Sequence, residues 1–138
     1  MAEKGTQLVV ETSLKRILNG SAVERNWTIK FEGGAEITGK SLSGWDAKQE
    51  KIVQGDMNSN GGISAGSVTH DKAAKSLTSS LKGVDGEGKE TSSKIVLMKT
   101  GKDTYTWQAL ERTGGLAEGK SPVYEFKRVK PQAKKPAN

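Results

Sequence analysis

The chain has 138 residues, 33% of them hydrophobic, with 17 glycines, one histidine and no cysteine. That suffices for one thin core, and it excludes disulfides and the usual nitrogen and sulfur ligands of zinc. The net charge is +6, but Lys127, Arg128, Lys130, Lys134 and Lys135 cluster at the end, leaving a body of about +1 and no basic surface for specific nucleic-acid binding. No run approaches the roughly 18 apolar residues of a spanning helix, so no membrane insertion is expected and the protein reads as cytoplasmic.

Residues 1–130 read as one domain, and 131–138, rich in Lys, Pro and Ala, as a disordered basic tail. Along the chain the dominant signal is a period of two. Leu8, Val10, Thr12, Leu14, Arg16 and Leu18 share one face; Val23, Arg25, Trp27, Ile29 and Phe31 share the next. Asn19-Gly20 between them predicts a hairpin, because a type I′ turn needs positive φ at both central residues. Residues 35–44, 50–57, 62–70, 74–83, 89–100, 103–112 and 122–129 read as further strands. DKAAKSLTSSLKG is ambiguous. Ala73, Ala74, Leu77 and Leu81 have helical spacing with Asp71 as cap, yet Ala73, Lys75, Leu77, Ser79 and Leu81 also alternate, and a strand is preferred. The expected fold is all-β, an antiparallel up-and-down meander of about nine strands curled into a barrel or half-barrel.

Two motifs promise more than they hold. Asp56-x-Asn58-x-Asn60-Gly61 opens like an EF-hand loop, but the twelfth position is Ser67 rather than a bidentate acid, and the flanks alternate as strands. Asn60-Gly61 reads instead as a hairpin turn. Gly114 to Ser121 satisfies GxxxxGK[ST]. A phosphate loop feeds its backbone N–H groups into a helix N-terminus, whereas Pro122 and a short alternating stretch follow here. His70 stands alone in a predicted turn, so no nucleophile–base pair, metal site or cofactor is assigned.

The candidate site is the predicted inner face. Arg25 lies among apolar neighbours, where it would bind a ligand carboxylate bidentately or pair structurally with Glu111; Arg128 poses the same choice, and the structural pairing is favoured. Glu111 shares its predicted face with Tyr105, Trp107 and Ala109, and Arg128 shares one with Tyr124 and Phe126. The ligand-binding set is therefore Arg25, Trp27, Phe31, Trp107, Glu111, Tyr124 and Arg128, with the aromatic members read as core ahead of pocket lining.

VVETSLKRILNGSAVERNWTIKFEG, then Gly44-Trp45-Asp46, the Asn-Ser-Asn-Gly-Gly turn and DTYTWQALERT resemble an uncharacterised bacterial β-domain often found C-terminal to SnoaL-like (NTF2-fold) domains. The resemblance runs over about residues 8 to 129 and implies a calycin-like curled antiparallel sheet, with no established activity. Asn58 and Asn60 replace the family's two turn aspartates, and Gly55 and Val68 stand where it has tryptophans. The family's extra N-terminal strand has no counterpart here, which implies an unpaired edge open to homodimerisation by strand addition. Two functions are expected in order: a non-enzymatic binder of a small, partly apolar or carboxylate ligand, and a protein–protein interaction module pairing through that edge.

Overall fold

A computed structural model describes residues 8–115 and 117–129. The predicted tail, 131–138, lies outside these. Nine strands follow one another: β1 (Leu8–Ile17), β2 (Ala22–Phe31), β3 (Glu36–Asp46), β4 (Lys51–Asn58), β5 (Ile63–Asp71), β6 (Ser76–Val84), β7 (Glu90–Lys99), β8 (Thr104–Thr113) and β9 (Tyr124–Lys127). Each pairs antiparallel with the next, giving a single meander in the order β1 to β9. The sheet curls into a half-barrel, and no ladder joins β1 to β9 among the described residues. The ambiguous segment is a strand. Its polar start forms the hairpin instead, where Asp71 Oδ1 accepts the Ala74 N–H at 3.1 Å.

The turns follow their chemistry. At the first hairpin Asn19 and Gly20 have φ of 57° and 81°, as a type I′ turn requires, and Ser21 N–H donates to Leu18 O at 3.1 Å. Leu18 also adopts positive φ, 54°, so the ladder begins one residue further out, at Ile17–Ala22. In the Asn58–Gly62 turn, Asn58 Oδ1 accepts the N–H groups of Asn60 and Gly62, and Gly61 takes φ of 84°. Asp85 repeats this device at the neighbouring hairpin, accepting from Glu87 and Lys89. These backbone donors hold the Asp85 carboxyl below its ordinary pKa. The EF-hand resemblance is thus a side-chain-capped turn.

The ladders fix which residues share the concave face. One row across it runs Leu14, Arg25, Ser41, Asp56, Ser64, Gly83, Thr91. A second begins Thr12, Trp27, Gly39, Asn58, and a third runs from Gln54 through Gly66 and Leu81 to Ser93. The buried hydrophobic residues Val68, Leu81 and Ala109 all lie on this face. The core is thin, as the composition implied.

One irregularity re-aims a predicted site residue. The β7–β8 register shifts between Lys94 and Ile95: Ile95 faces Ala109, while Lys94 faces Glu111. Leu110 is the extra residue of a β-bulge, and everything beyond it changes face. The phosphate-loop-like segment seals this bulge. Ser121 Oγ accepts the Ala109 N–H at 2.8 Å, and Ser121 N–H donates to Ala109 O. Ser121 is buried, and β9 rather than a helix follows it.

Candidate functional site

The concave face carries a polar centre between apolar flanks. β2 places Arg25 there because its alternation is unbroken from Val23 to Phe31. Arg25 is half-buried, and its Nε donates to Thr12 Oγ1 of β1 at 3.3 Å. Among the described residues no carboxylate lies within ion-pairing distance of it. The nearest acid on its row is Asp56, two strands away across the buried Ser41. At the usual strand spacing their backbones are roughly 10 Å apart.

Asp56 is itself held from above. Gln54 Nε2 donates to its Oδ1 at 2.8 Å, and Ser79 Oγ donates to Gln54 Oε1 at 3.3 Å, so the amide bridges from β4 to β6. It crosses β5 at Gly66, where no side chain intervenes. Burial pushes the Asp56 carboxyl above its ordinary range; the Gln54 hydrogen bond and the charge of Arg25 oppose that rise. On β8, burial likewise raises the Tyr105 hydroxyl, against the Arg25 charge and a hydrogen bond with Thr12. Thr12, Arg25, Tyr105, Gln54 and Asp56 thus meet over the trough although they come from four strands.

Trp27 forms the floor beside them. It sits directly across from Gly39, and a Cβ at Gly39 would overlap the indole ring. The indole therefore lies over bare backbone, covering a glycine that could not pack for itself. Next to it opens a cleft of about 150 Å³, lined by Trp27, Asp56, Asn58, Ser64, Thr91 and Gly115 among others.

The predicted site residues divide. Arg25, Trp27 and Phe31 share the concave face of β2. Trp107 and Tyr124 share that face on β8 and β9, with ring centroids 5.9 Å apart, and Tyr105 stacks on Phe126 at 5.0 Å; these pairs fasten the short β9. Glu111 does not join them. The bulge at Leu110 turns it to the convex side, where it is exposed opposite Lys94, so the expected Arg25–Glu111 pair does not form. Arg128 lies beyond β9 with its side chain 75% exposed and its Nε 3.6 Å from Asp103, also away from Arg25. Asp56, Gln54, Thr12 and Tyr105 are the residues that sequence reasoning missed as a group. Only the alternation of Gln54 and Asp56 hinted at a shared face, and Gly55 between them hides it.

Among the described residues no cluster of three or more potential metal ligands occurs, and no helix is long and apolar enough to cross a membrane. Compared with known protein families, curated proteins and solved structures, the chain matches none.

Proposed function

We propose that the domain is a non-enzymatic binding protein that holds a small, partly apolar carboxylate in its trough, with Arg25 as the anchor and Trp27 as the apolar floor. The observation that carries this reading is the state of Arg25. A half-buried guanidinium has five N–H donors, and this one has a single hydrogen bond and no ion pair among the described residues. Desolvating a charge without a partner is costly, and a ligand carboxylate removes that cost while taking two donors at once. Asp56 sets the specificity. Its carboxylate is the charge that competes with a ligand for Arg25, and burial, by raising its pKa, weakens that competition.

The test is a ¹H–¹⁵N titration with octanoate and benzoate, beside octanol and benzyl alcohol. Saturable shifts are expected at Arg25, Trp27 and Tyr105 with the acids only. Arg25→Gln should keep a dispersed spectrum and weaken binding at least tenfold, and Asp56→Asn should strengthen it. Equal binding of the alcohols, or no shifts with any acid, sinks the reading.

A second reading, self-association, is favoured by the exposed surface. The chain exposes 10660 Å², against about 6,900 Å² for a folded monomer of its mass. With about 2,700 Å² allowed for the undescribed residues, roughly 1,100 Å² of excess remains, more than the ~800 Å² each partner hides in a standard interface. β1 has ten residues and no ladder on its outer edge among the described residues, with Val9 and Leu14 exposed along it. Sedimentation equilibrium should show a concentration-dependent dimer; a strict monomer at millimolar concentration removes this reading.

A further inference from the structure

We infer that the convex face carries a separate anion site, a lysine- and serine-lined groove that takes a linear chain of phosphate or sulfate groups. The groove encloses about 560 Å³ over β4 to β7 and is the larger of the two cavities described. Its lining includes Lys51, Lys82 and Lys94 together with Ser67, Ser80 and Ser92. The ladders place these side chains together. Lys82 is opposite Ser92, Lys94 is opposite Ser80, and Ser80 is opposite Ser67.

Three observations point to an anion rather than to a solvated surface. First, none of the three lysines has an ion-pair partner within 4.0 Å among the described residues, so their ammonium groups are open to an external anion. Second, Ser67, Ser80 and Ser92 make no side-chain hydrogen bond among those residues, so three hydroxyl donors sit unused beside three ammonium groups. Third, lysines outnumber acids in the lining, where Lys51, Lys82 and Lys94 meet Glu111 alone; Asp46, opposite Lys51 on β3, and Glu90, two residues from Ser92 on β7, stand outside it. Like charges gathered in a groove raise the local potential and concentrate a counter-ion there.

The spacing selects the class of anion. Lys82 and Lys94 lie on adjacent strands one step apart, roughly 8 Å between Cα atoms, while Lys51 is roughly 16 Å from both by strand rise and separation. One tetrahedral anion would engage all three only if the long side chains leaned together at a cost in rotamer entropy. A run of several charged groups lying diagonally across the strands can reach all three, with the serine hydroxyls bonding its oxygens between lysines. Phosphate and sulfate share this chemistry. The bulge at Leu110 takes part indirectly, since it brings Glu111 to the rim, where its charge limits affinity.

The test is a ¹H–¹⁵N titration of the full chain with tripolyphosphate, with a fully sulfated disaccharide, and with orthophosphate. The expected result is saturable shifts confined to β4–β7 with at least one oligoanion, and at least tenfold weaker binding of orthophosphate. The tighter of the two oligoanions then identifies the source. Lys82→Ser with Lys94→Ser should lower affinity more than tenfold, Lys15→Ser with Lys30→Ser should leave it within twofold, and Glu111→Gln should raise it. Equal loss in both double variants would mean net charge alone. That outcome overturns the site, as do equal binding of orthophosphate and shifts centred on residues 127–135. None of these results bears on the concave trough, which is probed by monocarboxylates.

Discussion

Gly66→Ala leaves the chain without a cooperative unfolding transition. Gly66 lies on the concave face of β5 opposite Leu81, and a Cβ built there would overlap the Ser80 carbonyl oxygen and press on the Leu81 backbone. Neither atom can step aside, because both belong to the ladder that joins β5 to β6. Gly83 stands in the mirrored position, where a Cβ would overlap Ile63 O and touch Ser64. The two glycines let β5 and β6 lie against each other where a Cβ on either strand would meet the other's backbone. Overpacking a sound core costs about 1–3 kcal/mol, and more where backbone must move. Here the loss falls on a core with only three buried hydrophobic side chains among the described residues, so the margin is small. The Gln54 bridge to Ser79 passes over the same spot and would break as well. Gly55→Ala is the control. It faces the convex side, its nearest neighbour would be 4.0 Å away, and it should change the urea midpoint little. Far-UV circular dichroism through a urea titration reads both variants. A cooperative transition for Gly66→Ala near the wild-type midpoint would mean that the strands separate easily at this point.

Trp27→Ala should cost about 3 kcal/mol, the scale for removing a large buried aromatic side chain, tempered by its partial exposure. The loss has two parts: apolar area, and the uncovered backbone at Gly39. They can be separated by a double-mutant cycle. Gly39→Val alone should destabilise, because its side chain occupies the place of the indole. In the Trp27→Ala background the same valine should recover part of the loss, because the space is then vacant and a β-branched residue suits the strand. Additive effects from urea midpoints would show that the indole does not depend on the glycine.

Much of the fold was legible in the sequence. The alternation of Val23 to Phe31 and the Asn19-Gly20 and Asn60-Gly61 turns are local signals, and local chemistry decided them. DKAAKSLTSSLKG was harder because its alanines and leucines satisfy both periods. Pairing with β5 and β7 settles it, since a strand there completes two ladders that a helix would leave open. The candidate site was legible only on β2. Arg25 and Trp27 were recognisable as polar and aromatic members of one face. Their company was not, because Thr12, Asp56 and Tyr105 are joined to them by curvature and not by spacing.

The sequence by itself determined the strand period, the hairpin chemistry and the thinness of the core, since each depends on residues close along the chain. Only the tertiary structure decided which charges meet. A single extra residue, Leu110, moves Glu111 from the trough to the convex groove, because a strand's side chains alternate and one insertion inverts all that follow. Arg25 is left without the acid expected for it, and Lys94 faces one it does not bond. No one-dimensional pattern fixes that insertion. It is held by Ser121, twelve residues after Ala109, whose hydroxyl takes the Ala109 N–H at the bulge.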